Sequence, residues 1–249
     1  MEKECMLVTV ISVAYNSGET IAKTIESVLH QTYPNIEYII VDGASKDNTV
    51  EMAESYRRQF EDHPGRSLRI ISEPDEGMYD ALNKGAKAAN GVLVGSINTD
   101  DYYEPTAVET MVKFYEETGY DVAWGDIIIH KSTGDMRKKA HIGKLWVSTG
   151  FCHPSMFAKK DILLEFPYAC INMYDDYDFA TRVYLAGKDI RTTNALISHF
   201  NFGGMSTTKS FRKMCQRVKT KYGIYQRHGM SPLYWFYCVA IEFAKYILA

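Results

Sequence analysis

Several absences narrow this 249-residue sequence. There is no C-x-x-C pair, and the five cysteines (Cys5, Cys152, Cys170, Cys215, Cys238) are an odd, scattered set. Neither a zinc module nor a disulfide framework is therefore encoded, and reduced thiols in the cytosol are expected. Charge of one sign is not in excess: the net charge of −3 leaves nucleic acid without the basic footprint it would need. No G-x-x-x-x-G-K-[ST] occurs, and no G-x-G-x-x-G follows the first apolar run, which removes the main support for kinase, GTPase and Rossmann dehydrogenase readings. The N-terminal "MEKECMLVTVISVAYNSG" has two glutamates in its charged start, a short apolar run and no small-residue cleavage site, so it is expected to be a first strand and not a signal peptide. Gly/Pro/Ser-rich linkers, internal repeats and low-complexity tracts are also missing.

What is present is ordinary in amount and ordered in arrangement. Apolar residues make up 46% and charged residues 24%, values of a globular chain long enough to bury roughly three quarters of its unfolded surface. Leu7 to Ala14 is continuously apolar or β-branched, the pattern of a strand covered on both faces, and Tyr15-Asn16-Ser17-Gly18 breaks it. Ile21, Ile25, Val28 and Leu29 then recur at helical spacing. The cycle repeats through strands at 36–41, 68–72 and 92–97, with a helix capped by Asp47 running to about residue 60 and another over 77–89. Such alternation predicts an α/β fold with a mainly parallel sheet flanked by helices, whose ligands bind beyond the carboxyl ends of the strands. Asn16, Asp42, Glu73 and the pair Asp100-Asp101 each follow one of those strands. Two adjacent carboxylates repel each other, and Asn98-Thr99 would turn the chain without them. A cation is expected there.

After about residue 105 the alternation degrades. A helix (105–118), a strand (121–130) and mixed pieces to "LISHF" (196–200) are expected to elaborate the same domain. The last forty residues turn basic over 211–229 and then apolar and aromatic over 231–249, interrupted by Glu242 and Lys245. This segment is marginal as a membrane span. It fits a helical extension lying in a membrane interface, or one packed on the core or on a second copy.

In order along the chain stand "AYNSG" (14–18), "QTYP" (31–34), "VDGASKDNT" (41–49), "EPDEGMYDALNKG" (73–85), Asp100-Asp101 and "YDDYDFATRVYLAG" (174–187). Over residues 7 to 205 this combination resembles family 2 glycosyltransferases of the GT-A fold, and the "EPDEGMYDALNKG" stretch resembles their bacterial exopolysaccharide branch of colanic-acid type. The chain departs from the family pattern at Ile11-Ser12-Val13-Ala14, at Gly43-Ala44 and in its shortened acidic stretch, Asn98 to Asp101.

The resemblance implies a GT-A domain over 1–205, with a nucleotide-sugar half to about 104 and an acceptor half beyond, followed by the extension 206–249. It implies an inverting, metal-dependent transfer from a nucleotide sugar, most simply a UDP-sugar, to a lipid-linked saccharide at the cytoplasmic face of the plasma membrane. Ala14, Tyr15, Asn16, Asp42, Asp80, Lys84 and Asp100 would bind the nucleotide, with Asp42 on the uracil N3–H or merely capping its own turn. Glu73, Asp75 and Tyr79 lie nearby in sequence. Asp101, with His199 as a further candidate, would hold Mn2+ or Mg2+, unless the acidic pair is a solvated turn or His199 a core histidine. Asp176 would take the proton of the attacking hydroxyl, unless it or Asp175 serves as a helix cap. His153 has no assigned role, and Arg182 is expected to pair with a carboxylate. Two other readings remain: a sugar-nucleotide pyrophosphorylase, for which "AYNSGET" offers no basic group, and a non-catalytic nucleotide-sugar-binding subunit.

Overall fold

In the first strand, β1 (Val8–Ala14), even the polar Thr9 and Ser12 are fully buried, because sheet neighbours and helices cover both faces. The computed structural model describes residues 5–143, 146–147, 150–201 and 210–248. The boundary expected at residue 205 falls outside them. Helix α1 (Ile21–Leu29) buries Ile21, Ile25, Val28 and Leu29, the stripe expected from their spacing. Next come β2 (Ile36–Asp42), α2 (Thr49–Ser55), α3 (Arg57–Glu61), β3 (Arg66–Ser72), α4 (Met78–Ala88) and β4 (Leu93–Ser96).

The helix expected to run unbroken to residue 60 is two helices that meet at Tyr56. Its N-cap is Asn48, not Asp47. The Asp47 carboxylate instead accepts hydrogen bonds from the Gly18 and Thr49 amides, tying the loop after β2 to the loop after β1.

The second half contains β5 (Tyr102–Tyr103), α5 (Ala107–Thr118), β6 (Val122–Lys131), β7 (Gly134–Lys138), β8 (Met156–Lys159), α6 (Lys160–Glu165), α7 (Asp175–Leu185) and β9 (Ile190–Asn201). Gly119 ends α5 in the left-handed conformation, φ 69°, which glycine adopts without a Cβ penalty. The described strands form one sheet in the order β3-β2-β1-β4-β8-β6-β9-β5, with β7 on β6. Pairing is parallel among β1 to β4 and between β6 and β9, and antiparallel at β4–β8, β8–β6, β9–β5 and β6–β7. The sheet is therefore parallel over β1 to β4, as expected, and mixed beyond β4.

The chain closes with two antiparallel helices, α8 (Phe211–Arg227) and α9 (Tyr234–Leu248), in contact from Phe211–Tyr246 at one end to Tyr225–Tyr234 at the other. Val218, Tyr225, Tyr234 and Cys238 join the hydrophobic cluster that contains Phe179 and Val183 of α7. The inner side of the extension is thus packed on the core.

Candidate active site

Parallel register carries the ends of β1 to β4 to one edge, and short polar ties weld them. Ala14, buried at the end of β1, accepts from the Gly43 amide, 2.9 Å. Asn16, in left-handed geometry (φ 49°), donates its amide to Ser45 Oγ and accepts the Lys46 amide on Oδ1, both 2.8 Å. Tyr15 stands out at the rim, exposed.

Asp42 is enclosed, 0% exposed. It accepts from the Ser45 amide (3.0 Å), the Ser45 hydroxyl and the Ser72 hydroxyl (2.7 Å). In this structure its carboxylate braces the ends of β2 and β3. Over Gly43 lies Asp75, whose Oδ2 would sit 2.6 Å from any Cβ added there. Asp75 in turn accepts the Gly77 amide. The space beside Gly43 is therefore already filled by a carboxylate from the next loop.

Asp80 and Lys84 hold that loop as well. Lys84 Nζ donates to the Pro74 carbonyl (2.7 Å) and lies 3.2 Å from both Glu73 and Asp80, while Asp80 accepts the Glu76 amide. In this geometry both residues shape residues 73–77, with their charges satisfied by one another.

The acidic pair after β4 is asymmetric. Asp100 is exposed, whereas Asp101 is 1% exposed. Asp101 Oδ1 accepts the Asn201 amide at 3.0 Å and Oδ2 the Asn98 side-chain amide at 3.4 Å. Burial, with the Asp100 charge beside it, pushes the Asp101 carboxyl up to about 8. A buried carboxyl with so few donors gains more from a cation than a solvated one does.

His199 is not turned toward that pair. Its Nε2 lies 2.5 Å from Glu104 and its Nδ1 2.9 Å from His130 Nε2, while its ring stacks on Tyr102. Both nitrogens are engaged within this cluster. Among the described residues no group of three or more His, Cys, Asp or Glu is arranged to hold a metal. The hard-oxygen pair Asp100-Asp101 still suits Mg2+ or Mn2+, provided that ligand phosphates and water complete the shell.

Tyr174 is the N-cap of α7. The buried Asp175 faces backward, accepting the Ile171 and Asn172 amides, so it organises the approach to the helix and does not cap it. Asp176, half-buried, accepts the Tyr177 amide (2.9 Å) and the Tyr79 hydroxyl (3.3 Å). The Tyr79 bond bridges the start of α7 to the start of α4, and so to the β3 edge. Burial raises the Asp176 carboxyl, opposed by the Tyr177 amide, the Tyr79 hydroxyl and the charges of Lys221 and Lys138.

Basic groups anchor this helix, most of them left without a role by the sequence. Arg182 pairs with Asp178 as expected, and Arg227 and His228 from the end of α8 meet the same carboxylate. Lys221, buried on α8, pairs with the buried Glu242 of α9 and lies 4.9 and 5.2 Å from the Tyr174 and Tyr177 rings. Unbroken basic character in α8 was the only sequence signal for them. His153 Nε2 lies 3.1 Å from Ser96 Oγ, its Nδ1 is buried without a partner, and burial pushes it down to about 4.

The parallel strands thus end at an acid pair, and the start of α7 bears a second carboxyl of raised pKa, tied to α4 through Tyr79. Residues 9–179 match the family described as Glycosyl transferase family 2. The chain belongs to that family and is a glycosyltransferase. Among its relatives, a PGL/p-HBAD biosynthesis glycosyltransferase of Mycobacterium bovis is 25% identical over 224 residues, 87% of this chain and 86% of that protein. The UDP-Glc:alpha-D-GlcNAc-diphosphoundecaprenol beta-1,3-glucosyltransferase WfaP of Escherichia coli is 26% identical over 242 residues, 92% of each. In three dimensions, S. aureus TarS 1-349 in complex with UDP-GlcNAc superposes with a TM-score of 0.71 at 17% identity, over 96% of this chain and 72% of that one. The mannosyltransferase PcManGT of Pyrobaculum calidifontis, with GDP-Man and Mn2+, gives a TM-score of 0.67 at 18% identity, over 96% and 73%. These likenesses establish the GT-A fold.

Proposed function

We propose that this chain transfers a sugar, with inversion, from a UDP-sugar to a hydroxyl of a lipid-linked glycan in bacterial surface polysaccharide synthesis. The observation that carries it is the Asp101 carboxyl, buried at the end of β4 and raised to about 8. A charge so costly is retained where a cation arrives with the substrate. Support for the donor and acceptor comes from WfaP, whose name specifies UDP-Glc and a diphosphoundecaprenol-linked sugar. A lipid-linked acceptor puts the reaction at the cytoplasmic membrane face, with the protein peripheral to it.

Asp101, with Asp100 at its rim, would hold Mg2+ or Mn2+, and the ion would neutralise charge on the departing diphosphate. Asp42, Asn16, Asp80 and Lys84 keep the loops around the nucleotide in place, while Ala14, Tyr15, Asp75 and the exposed Asp100 border it. Asp176 takes the proton from the acceptor hydroxyl as that oxygen attacks the anomeric carbon opposite the leaving UDP. Burial raises its basicity toward neutral pH, and Tyr79 fixes its orientation.

The test is a screen for UDP release over nucleotide sugars and lipid-linked acceptors, with and without Mn2+, on wild type and Asp176→Asn. Asn keeps the shape and cannot take the proton, so transfer should fall by roughly a hundredfold or more while metal-supported UDP affinity holds. Near-normal transfer by the variant would remove Asp176 from the chemistry.

A further inference from the structure

Helix α9 is amphipathic in an unusual sense, because its one acidic residue faces inward. Glu242 is 2% exposed and bonds Lys221 of α8, and Tyr234 and Cys238 are buried on the same side. The opposite side presents Phe236 (69% exposed), Val239, Phe243 (50%) and Ile247 (60%) along one stripe, with Leu233 before it. Spacings of three and four residues keep these on one face. Phe211, also exposed, meets Tyr246 where α8 begins. On a soluble surface apolar side chains are normally scattered, and a contiguous stripe of this kind marks a contact.

Charge indicates what the stripe contacts. Helix α8 carries six Lys or Arg and no Asp or Glu, in a chain whose net charge is −3. Arg212, Lys213 and Lys219 are exposed, and Lys245 lies half-exposed near the end of α9. An apolar aromatic face beside a basic one complements an anionic lipid surface. No described helix is long and apolar enough to cross a membrane.

We propose that the outer face of α9, with the basic residues of α8, seats this protein on an anionic bilayer, and that the hairpin's inner side carries the seating to the site. Arg227 and His228 hold Asp178, and Lys221 lies over Tyr174 and Tyr177, all within one turn of Asp176. The same hairpin thus grips lipid with one side and the helix of the acceptor base with the other. A lipid-linked substrate is then presented beside α7; this last step rests on the acceptor reading above, whereas the lipid contact does not.

The test is co-sedimentation of the full chain, without nucleotide or acceptor, with vesicles of phosphatidylcholine alone or with about one quarter phosphatidylglycerol. Binding is expected only to the anionic vesicles, to weaken with salt, and to fall about tenfold or more in Phe236→Ser/Phe243→Ser. Leu164→Ser, at an exposed apolar position on α6, should bind as wild type does. Because the replaced phenyl rings face solvent, the double variant should melt like wild type. Equal binding by wild type and double variant, or no preference for anionic lipid, overturns the proposal. So does a wild-type dimer in light scattering that the double variant abolishes, since a second copy would then cover the stripe. Transfer to a short, water-soluble acceptor separates the two readings: its absence in a wild type that binds vesicles counts against the acceptor reading alone.

Discussion

Replacing Asp101 by asparagine should stabilise the protein and disable it. The carboxyl is raised from 3.8 to about 8 by burial and by Asp100. Between those values the unfolded chain ionises while the folded one keeps its proton, so the stability that protonated Asp101 contributes is complete below about pH 4 and lost as pH rises through 8. One pH unit in that window costs up to about 1.4 kcal/mol, giving a ceiling of about 6 kcal/mol across it. Adjustment of the Asn201 and Asn98 donors and water at the exposed Asp100 reduce this to about 2–3 kcal/mol. Asparagine never ionises and keeps an oxygen for the Asn201 amide. In urea denaturation with EDTA, the Asp101→Asn variant should therefore gain about 2–3 kcal/mol over wild type between pH 5 and pH 8.5. Mn2+ with UDP should recover about that much for wild type at pH 8.5 when present at a hundred times its dissociation constant, and nothing for the variant. Parallel pH dependences for the two proteins would refute the reasoning, because the buried carboxyl would then cost nothing to ionise.

Two other outcomes follow from the same geometry. Lys221→Met leaves Glu242 charged and buried, and should cost about 3–5 kcal/mol in urea denaturation, whereas Lys221→Met/Glu242→Leu should recover most of it, since an apolar pair of similar volume needs no desolvation. His199→Gln should change Mn2+-supported UDP affinity by less than about threefold in calorimetry, because Glu104 and His130 occupy both ring nitrogens; a loss of about tenfold or more, equal to some 1.4 kcal/mol, would return it to the metal.

Sequence alone determined the elements and the edge on which the site forms. A strand covered on both faces must be apolar throughout, and a helix against a sheet must repeat every three to four residues, so both patterns are local and legible without partners. Hence β1 to β4, α1, α4 and the positions of Asp42, Asp100-Asp101 and Asp176 at element ends could be placed from residue order. Tertiary structure alone decided what each carboxylate and histidine touches. Asp42 is closed in by Ser72, thirty residues on, His199 is taken by Glu104, ninety-five residues back, and Asp101 receives an amide from Asn201, a hundred residues away. Glu242, which in the sequence merely interrupts an apolar tail, is turned inward to Lys221, twenty-one residues earlier, so that the outer face of α9 is left apolar. Such partners are brought together by sheet order and helix docking, over distances where no period or cap signal reaches, and it is burial by those partners that sets which acid holds a proton and which face is left apolar.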